Sequence, residues 1–423
     1  MNLSIYRINM QKIHRKLLSE LKNHLEEREI SLIVGPRQAG KTTIMNELKD
    51  YLDKKGEKTL FLNLDYENDE IFFNSQEILI RKIELEFGEK RGYIFIDEIQ
   101  RKENAGLFLK GIYDLNLPYK FIVSGSGSLE LKEKIHESLA GRKRMFELST
   151  VSFVEFVDFK TDYHYSEKLD VFFDIEKERS LALLDEYLNF GGYPRIILQQ
   201  ELSEKTKLIN EIFRSYVEKD VAFFLGINKV DAFSLLIKIL ASQTGQIIKY
   251  SRIAQECGIG FSTLKNYLWY AEKTFSIRII NPYFKNKHKE ITQSPSVYFY
   301  DAGMRNFALG LFGGVSGKVE QIGFVFQNFV ANLLYEKIAN TSKNLHYWRT
   351  INGAEVDFVL VDGISLIPIE VKYSKLKKPQ ITRSLGNFIK AYTPKEALVV
   401  NLSLKAEVEV MGTKVKFIPF YSL

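Results

Sequence analysis

The stretch Gly35-Pro-Arg-Gln-Ala-Gly-Lys-Thr42 follows the apolar run Ile30-Ser-Leu-Ile-Val34 and precedes a helix-forming segment, Thr43 to Leu52. Strand, glycine loop and helix in that order leave few folds open. The pattern G-x-x-x-x-G-K-[ST] at such a junction aims successive backbone N–H groups at phosphate oxygens, with the positive end of the helix behind them. The expected phosphate-binding residues are Gly35, Pro36, Arg37, Gln38, Ala39, Gly40, Lys41, Thr42 and Thr43. Lys41 is expected to reach the β- and γ-phosphates and the Thr42 hydroxyl to complete a Mg²⁺ shell, which makes ATP and Mg²⁺ the expected cofactors. The competing reading is a plain strand-to-helix turn.

A second motif supports the first. In Gly92-Tyr-Ile-Phe-Ile-Asp-Glu-Ile99 a buried strand ends in two carboxylates. Ligands gather at the carboxyl ends of strands in open α/β sheets. Asp97 is then expected to hold Mg²⁺ through water and Glu98 to polarise the attacking water. A solvated acidic turn is the alternative.

Further strands are expected at Lys58 to Leu64, Lys120 to Ser124 and in the tail of Leu139 to Leu148, with helices at Ile13 to Arg28 and Gln76 to Phe87. This alternation predicts an α/β fold with a parallel sheet and helices on both faces. Ser124 or Ser126, ending its strand, is placed to hold the attacking water or sense the γ-phosphate; a serine-rich turn capping the next helix fits equally. Arg142 or Arg144 reads either as a solvated edge or as an arginine finger reaching a neighbouring subunit's nucleotide, and the latter implies a homo-oligomer.

Composition sets the outer bounds. At 423 residues the chain needs two to four domains, and 45% hydrophobic residues supply their cores. The net charge of +6 permits nucleic-acid binding without requiring it. The single cysteine, Cys257, allows no intramolecular disulfide and no cysteine-cluster metal site, in keeping with a reducing interior. No run of about 18 apolar residues and no secretory leader are evident, so the expectation is a cytoplasmic protein without a membrane partner.

Downstream, Ser152 to about Leu240 carries helical periodicity interrupted by Phe190-Gly-Gly-Tyr-Pro194, and reads as a helical lid. Arg195, just after that loop, reads as a surface arginine at a helix start, with contact to the phosphates as the alternative. Tyr250 to Leu268 has the form of helix, turn at Gly258 to Gly260, and second helix capped by Ser262; Phe275 to Phe284 would add a wing. Lys265 and Asn266 on the second helix, with Lys285, Lys287, His288 and Lys289 on or after the wing, are the candidate DNA contacts. Winged helices also serve as protein-binding modules. After a helix at Gly323 to Ala339, Asp357 opens one apolar strand, and Glu370 and Lys372 alternate on the next. Two carboxylates and a lysine in that arrangement suit a metal-dependent phosphodiesterase; alternating charges on a solvated sheet face would look the same.

Jointly, Gly35 to Thr42, Ile96-Asp-Glu-Ile-Gln100, Gly125-Ser126, Ala140-Gly-Arg142, Phe190 to Pro194, Tyr347-Trp-Arg-Thr350, Glu355-Val-Asp-Phe358 and Ile369-Glu-Val-Lys372 resemble a family of AAA-like ATPases with a C-terminal restriction-endonuclease-like domain. The resemblance spans nearly the whole chain. It implies an AAA-like P-loop core over 1–160, a helical lid over 161–240, a winged helix over 241–295 and a PD-(D/E)XK-like α/β domain over 296–423. It carries nucleotide roles onto Lys41, Thr42, Asp97 and Glu98, and a metal site onto Asp357 and Glu370 with Lys372. Where the family's preceding helix offers a glutamate, this chain has Gln327. The expected function is an ATP-binding and ATP-hydrolysing switch acting with DNA. The alternatives are an ATP-dependent endonuclease and a signalling ATPase whose winged helix binds protein.

Overall fold

Every residue of β1 (Ile30–Gly35) and of β3 (Gly92–Asp97) is buried. Continuous apolar runs of this kind belong inside a parallel sheet covered on both faces. In the computed structural model, which describes residues 12–126, 139–217, 230–284 and 294–423, they are joined by β2 (Thr59–Asn63), β4 (Tyr119–Ser126) and β5 (Lys143–Glu147). The order is β2-β3-β4-β1-β5, and all four pairings are parallel. The helix Lys41–Lys54 buries Ile44, Met45, Leu48 and Leu52 against Ile33, Phe95 and Ile122 of the sheet. The helix Phe153–Lys160 begins with a reciprocal capping box between Ser152 and Glu155.

The described residues fall into two compact units. One is drawn from Met1–Asp162, Gly192–Asn228 and Lys273–Phe275, the other from Tyr163–Gly191, Lys229–Glu272 and Ser276–Leu423.

The predicted helix over 13–28 is shorter than its apolar spacing suggested: it covers only Leu17–Asn23. The carbonyls of Glu27 and Glu29 instead accept hydrogen bonds from the Lys120 ammonium, which also lies 3.1 Å from His24 Nδ1. His24 and Lys120 are both buried, and His24 Nδ1 meets the Ser31 hydroxyl at 2.8 Å. Burial, then the Lys120 charge, lowers the His24 pKa to about 4; burial lowers that of Lys120 to about 8. Between pH ~4 and ~6.5 the unfolded chain therefore binds a proton at His24 that the folded chain refuses, so stability rises with pH across that window and is lost on acidification. Going from neutral pH to pH 5 should cost about 2 kcal/mol at this residue. Urea titrations at the two pH values check this: His24→Asn should lose less stability on acidification than the wild type by that amount.

In the second unit the helices Tyr250–Glu256 and Phe261–Lys273 meet across a turn. Gly258 sits at φ 63°, and the Ile259 and Gly258 amides return to the carbonyls of Ala254 and Gln255, a Schellman closure that needs a left-handed residue at that point. The second helix starts at Phe261, so Ser262 lies in its first turn and is not its cap. β6 (Ile277–Ile280) pairs antiparallel with β7 (Ser296–Phe299). Lys285, Lys287, His288 and Lys289 lie outside the described residues.

The C-terminal sheet is mixed, in the order β12-β13-β11-β10-β9-β8. Its strands are β8 (Asn344–Arg349), β9 (Glu355–Asp362), β10 (Ser365–Val371), β11 (Glu396–Asn401), β12 (Ala406–Val410) and β13 (Thr413–Pro419). The helix Arg383–Tyr392 packs on it through Leu385, Phe388 and Ile389. No helix among the described residues is long and apolar enough to cross a membrane.

Candidate functional site

The phosphate-loop sequence folds as its glycines require. A Cβ on Gly35 would stand 2.1 Å from the Leu148 carbonyl oxygen. Gly40 takes φ 100° as the residue immediately before the helix Lys41–Lys54, a conformation closed to ordinary side chains. Lys41 is buried, and its ammonium donates to the carbonyls of Gly35 at 3.1 Å and Pro36 at 2.9 Å. The cation is thus held over the loop itself, where a phosphate group would compete for it.

Thr42, Asp97 and Ser124 form one hydrogen-bonded group. Thr42 Oγ1 donates to Asp97 Oδ2 at 2.7 Å, and the Ser124 hydroxyl donates to Asp97 Oδ1. Asp97 is fully buried at the end of β3. Glu98 follows at φ 57° and keeps a carboxylate oxygen on the Gln100 amide. A left-handed backbone at a non-glycine residue costs about 1 kcal/mol or more and concentrates at functional positions. Because β4 lies between β1 and β3, Ser124 stands between the loop and the acidic pair, the place the sequence assigned to Ser124 or Ser126. The backbone of Ser126 pairs beside Gly35, and its side chain lies outside the described residues.

Two arginines add to this group. Arg195, at the start of the helix Pro194–Leu198, donates to Gln38 Oε1 of the loop at 3.1 Å and has Glu211 at 3.6 Å. It is exposed at a helix start, as the surface reading has it, and its hydrogen bond reaches the loop. Arg15, which carried no role in the sequence, donates to the Ala39 carbonyl at 2.9 Å and the Ser149 carbonyl at 2.8 Å, and pairs with Glu155 at 3.1 Å. It braces the loop from behind. The signal that could have pointed to it is the Ser152/Glu155 pattern, whose capping box positions its partner.

Arg142 is not part of this constellation within the chain. Its carbonyl accepts from the Ile30 amide, and its guanidinium pairs with Asp114 at 2.7 Å. Ile30 and Gly35 are opposite ends of β1, about 16 Å apart at ~3.3 Å per residue. Arg144, also at that edge, lies 5.6 Å from the Phe146 ring centre.

The second unit carries a separate acidic site. Asp357 on β9 and Glu370 on β10 come together, since the register ends with Ile369 opposite Phe358. Asp357 Oδ2 accepts from the Val371 amide at 2.7 Å, and Oδ1 accepts from the Gln327 side-chain amide at 3.0 Å. Gln327 also donates to the Tyr298 hydroxyl at 3.1 Å. Burial raises the Asp357 pKa to about 7 and raises that of Glu370 as well. Glu370 accepts from Thr382 on one oxygen; the other is buried without a hydrogen-bond partner, with Lys372 Nζ at 3.9 Å. Among the described residues no group of three or more His, Cys, Asp or Glu is placed to hold a metal ion. The site is a carboxylate pair with the Gln327 amide on one of its oxygens.

Comparison with known proteins matches three families to successive stretches of the chain. Residues 27–157 match the family described as an AAA domain, while 181–314 and 322–423 match two families described as domains of unknown function, DUF8612 and DUF4143. An uncharacterized protein of Methanocaldococcus jannaschii is 27% identical over 384 residues, 89% of this chain and 81% of that one. An uncharacterized protein of Haemophilus influenzae is 21% identical over 399 residues, covering 92% and 93%. Among solved structures, the Aeropyrum pernix Orc1 protein in complex with DNA aligns at 12% identity and TM-score 0.32, over 71% of this chain and 93% of that one. With its five-stranded parallel sheet and glycine loop, the N-terminal unit carries an AAA-like P-loop domain.

Proposed function

We propose that the chain is an ATP-binding and ATP-hydrolysing switch whose nucleotide state governs how its C-terminal unit engages DNA. The observation that carries this reading is the linked Thr42, Asp97 and Ser124 group beside a left-handed Glu98, with Lys41 held on the loop carbonyls. Lys41 would exchange its loop carbonyls for the β/γ-phosphates. Thr42 and Asp97 would hold the Mg²⁺ that accompanies ATP and offsets phosphate charge. Glu98 would orient water toward the γ-phosphate, and the Ser124 hydroxyl would fix Asp97. Arg195, which donates to Gln38 of the loop, would meet charge gathering on the γ-phosphate, a role that, supplied by an arginine, is worth about 10³–10⁵ in rate. For Arg142, paired with Asp114, both readings stand: a solvated edge, or a finger in trans on a neighbouring copy's nucleotide.

The DNA part rests on the exposed Lys265 and Asn266 of the helix Phe261–Lys273 and on the acidic site. Steady-state ATP hydrolysis by the full chain, with and without duplex DNA, tests it. DNA should change the turnover rate; ATP hydrolysis indifferent to DNA at all concentrations contradicts the coupling.

A second reading, metal-dependent DNA cleavage, is favoured by the buried Glu370 oxygen that has no hydrogen-bond partner. Asp357 and Glu370 would hold a divalent cation, which would polarise a scissile phosphate, and Lys372 would steady the developing charge. Gln327 argues for the switch, because its amide occupies the Asp357 oxygen that such an ion needs.

A further inference from the structure

From Lys372 to Tyr392 the chain carries six cations, Lys372, Lys375, Lys377, Lys378, Arg383 and Lys390, and no Asp or Glu. Its net charge of +6 equals that of the whole 423-residue chain, so the remainder is neutral in sum. The segment leaves β10 beside the acidic pair and continues into the helix Arg383–Tyr392. Thr382 fixes it there twice over, capping that helix through the Leu385 amide and donating to Glu370.

Several other lysines of this unit are matched to carboxylates: Lys414 to Glu407 at 2.9 Å, Lys416 to Glu396 at 2.8 Å and Lys405 to Asp174 at 2.5 Å. By contrast Lys375, Lys377, Lys378, Arg383 and Lys390 are exposed, and none forms an ion pair among the described residues. On the helix, Arg383, Asn387 and Lys390 follow an i, i+4, i+7 spacing that puts them on one face. An unmatched row of cations with hydrogen-bonding side chains suits a polyanion. A lipid surface would also need apolar side chains to insert. This segment exposes no large hydrophobic residue, and Leu376, Ile381, Leu385 and Ile389 are turned into the core.

We propose that residues 372–390 form a docking surface for the phosphate backbone of duplex DNA, which this surface brings to the Asp357/Glu370 site. The proposal rests on the DNA reading above and adds where the duplex sits. Each phosphate neutralised adds about 0.9 to the slope of log affinity against log salt concentration.

The test is duplex binding by the full chain, wild type against Lys375→Gln/Lys377→Gln/Lys378→Gln/Arg383→Gln, across a salt series. The variant should lose at least about tenfold in affinity near 0.1 M salt, with the slope reduced by about 3. Its unfolding midpoint and its binding of an ATP analogue should match the wild type. Hydrogen exchange on the wild type gives an answer independent of the variant: amides within 372–392 should gain protection when duplex is added. Unchanged affinity and slope in the variant, with loss in Lys265→Gln/Asn266→Ala instead, overturns this surface and leaves the DNA reading standing. A wild type without salt-dependent duplex binding overturns both, as does binding to acidic phospholipid vesicles or single-stranded RNA in preference to duplex.

Discussion

Glu98→Gln should bind ATP about as well as the wild type and hydrolyse it about 10²–10⁴-fold more slowly. The amide keeps the size and the link to Gln100 but cannot accept a proton from water or pull on it as a carboxylate does. Glu98 joins the Thr42–Asp97–Ser124 group only through its backbone amide, which the substitution keeps, so the change should spare both phosphate and Mg²⁺ binding. Equilibrium binding of a fluorescent ATP analogue, read beside single-turnover hydrolysis, separates the two effects. A variant that hydrolyses ATP at the wild-type rate would move the water-positioning role elsewhere, with Ser124 the next residue to examine.

The second large effect is structural and lies far from the phosphate loop. Gly303, inside the helix Ala302–Ala308, would as alanine place its Cβ 2.1 Å from the backbone oxygen of Phe190 and 2.7 Å from the carbonyl carbon. Gly191, the first glycine of the Phe190 to Pro194 loop, meets the Asp301 carboxylate at the same junction, where its Cβ would stand 2.3 Å from Oδ1. Two effects oppose each other. Helix propensity favours alanine by up to about 1 kcal/mol. Forcing a methyl against fixed backbone costs typically ~1–3 kcal/mol and sometimes more, and a 2.1 Å approach lies at the severe end. The clash wins. Gly303→Ala should lower the thermal midpoint of the second unit and leave little soluble protein. Gly386→Ala is the control: it too is helical, nothing lies within 4 Å of its Cβ, and it should be neutral or stabilising by up to about 1 kcal/mol. Equal midpoints for the two variants would show that the helices can part without cost at this junction.

The features legible in the sequence were those that depend on near neighbours. β1 and β3 announced themselves as buried runs ending in a glycine loop and an acidic pair, and they stand within a residue of where they were expected. Asp357 and Glu370 were readable from strand alternation, and the antiparallel register of β9 and β10 brings them together. What stayed hidden depends on partners distant in the chain. Nothing near residue 24 signals that Lys120 will take the carbonyls of Glu27 and Glu29 and end the helix early. Arg195 gains its meaning only through Gln38, 157 positions away. Arg142 lies far from the same chain's loop because β5 pairs parallel with β1, which puts the start of both strands at the edge away from the loop. The parallel pairings of β11 with β10 and β13 are likewise non-local, and no local pattern specifies them.

The central claim, that Gly35 to Thr42 is an ATP site anchored by Lys41, is most directly tested by calorimetric titration of Mg²⁺ and a non-hydrolysable ATP analogue into the full chain and into Lys41→Ala. The wild type should show one site per chain, and the variant about 10–150-fold weaker binding, the loss of a charged hydrogen-bonding group from a buried position. Equal affinity in the two proteins, or no binding to the wild type, would contradict it.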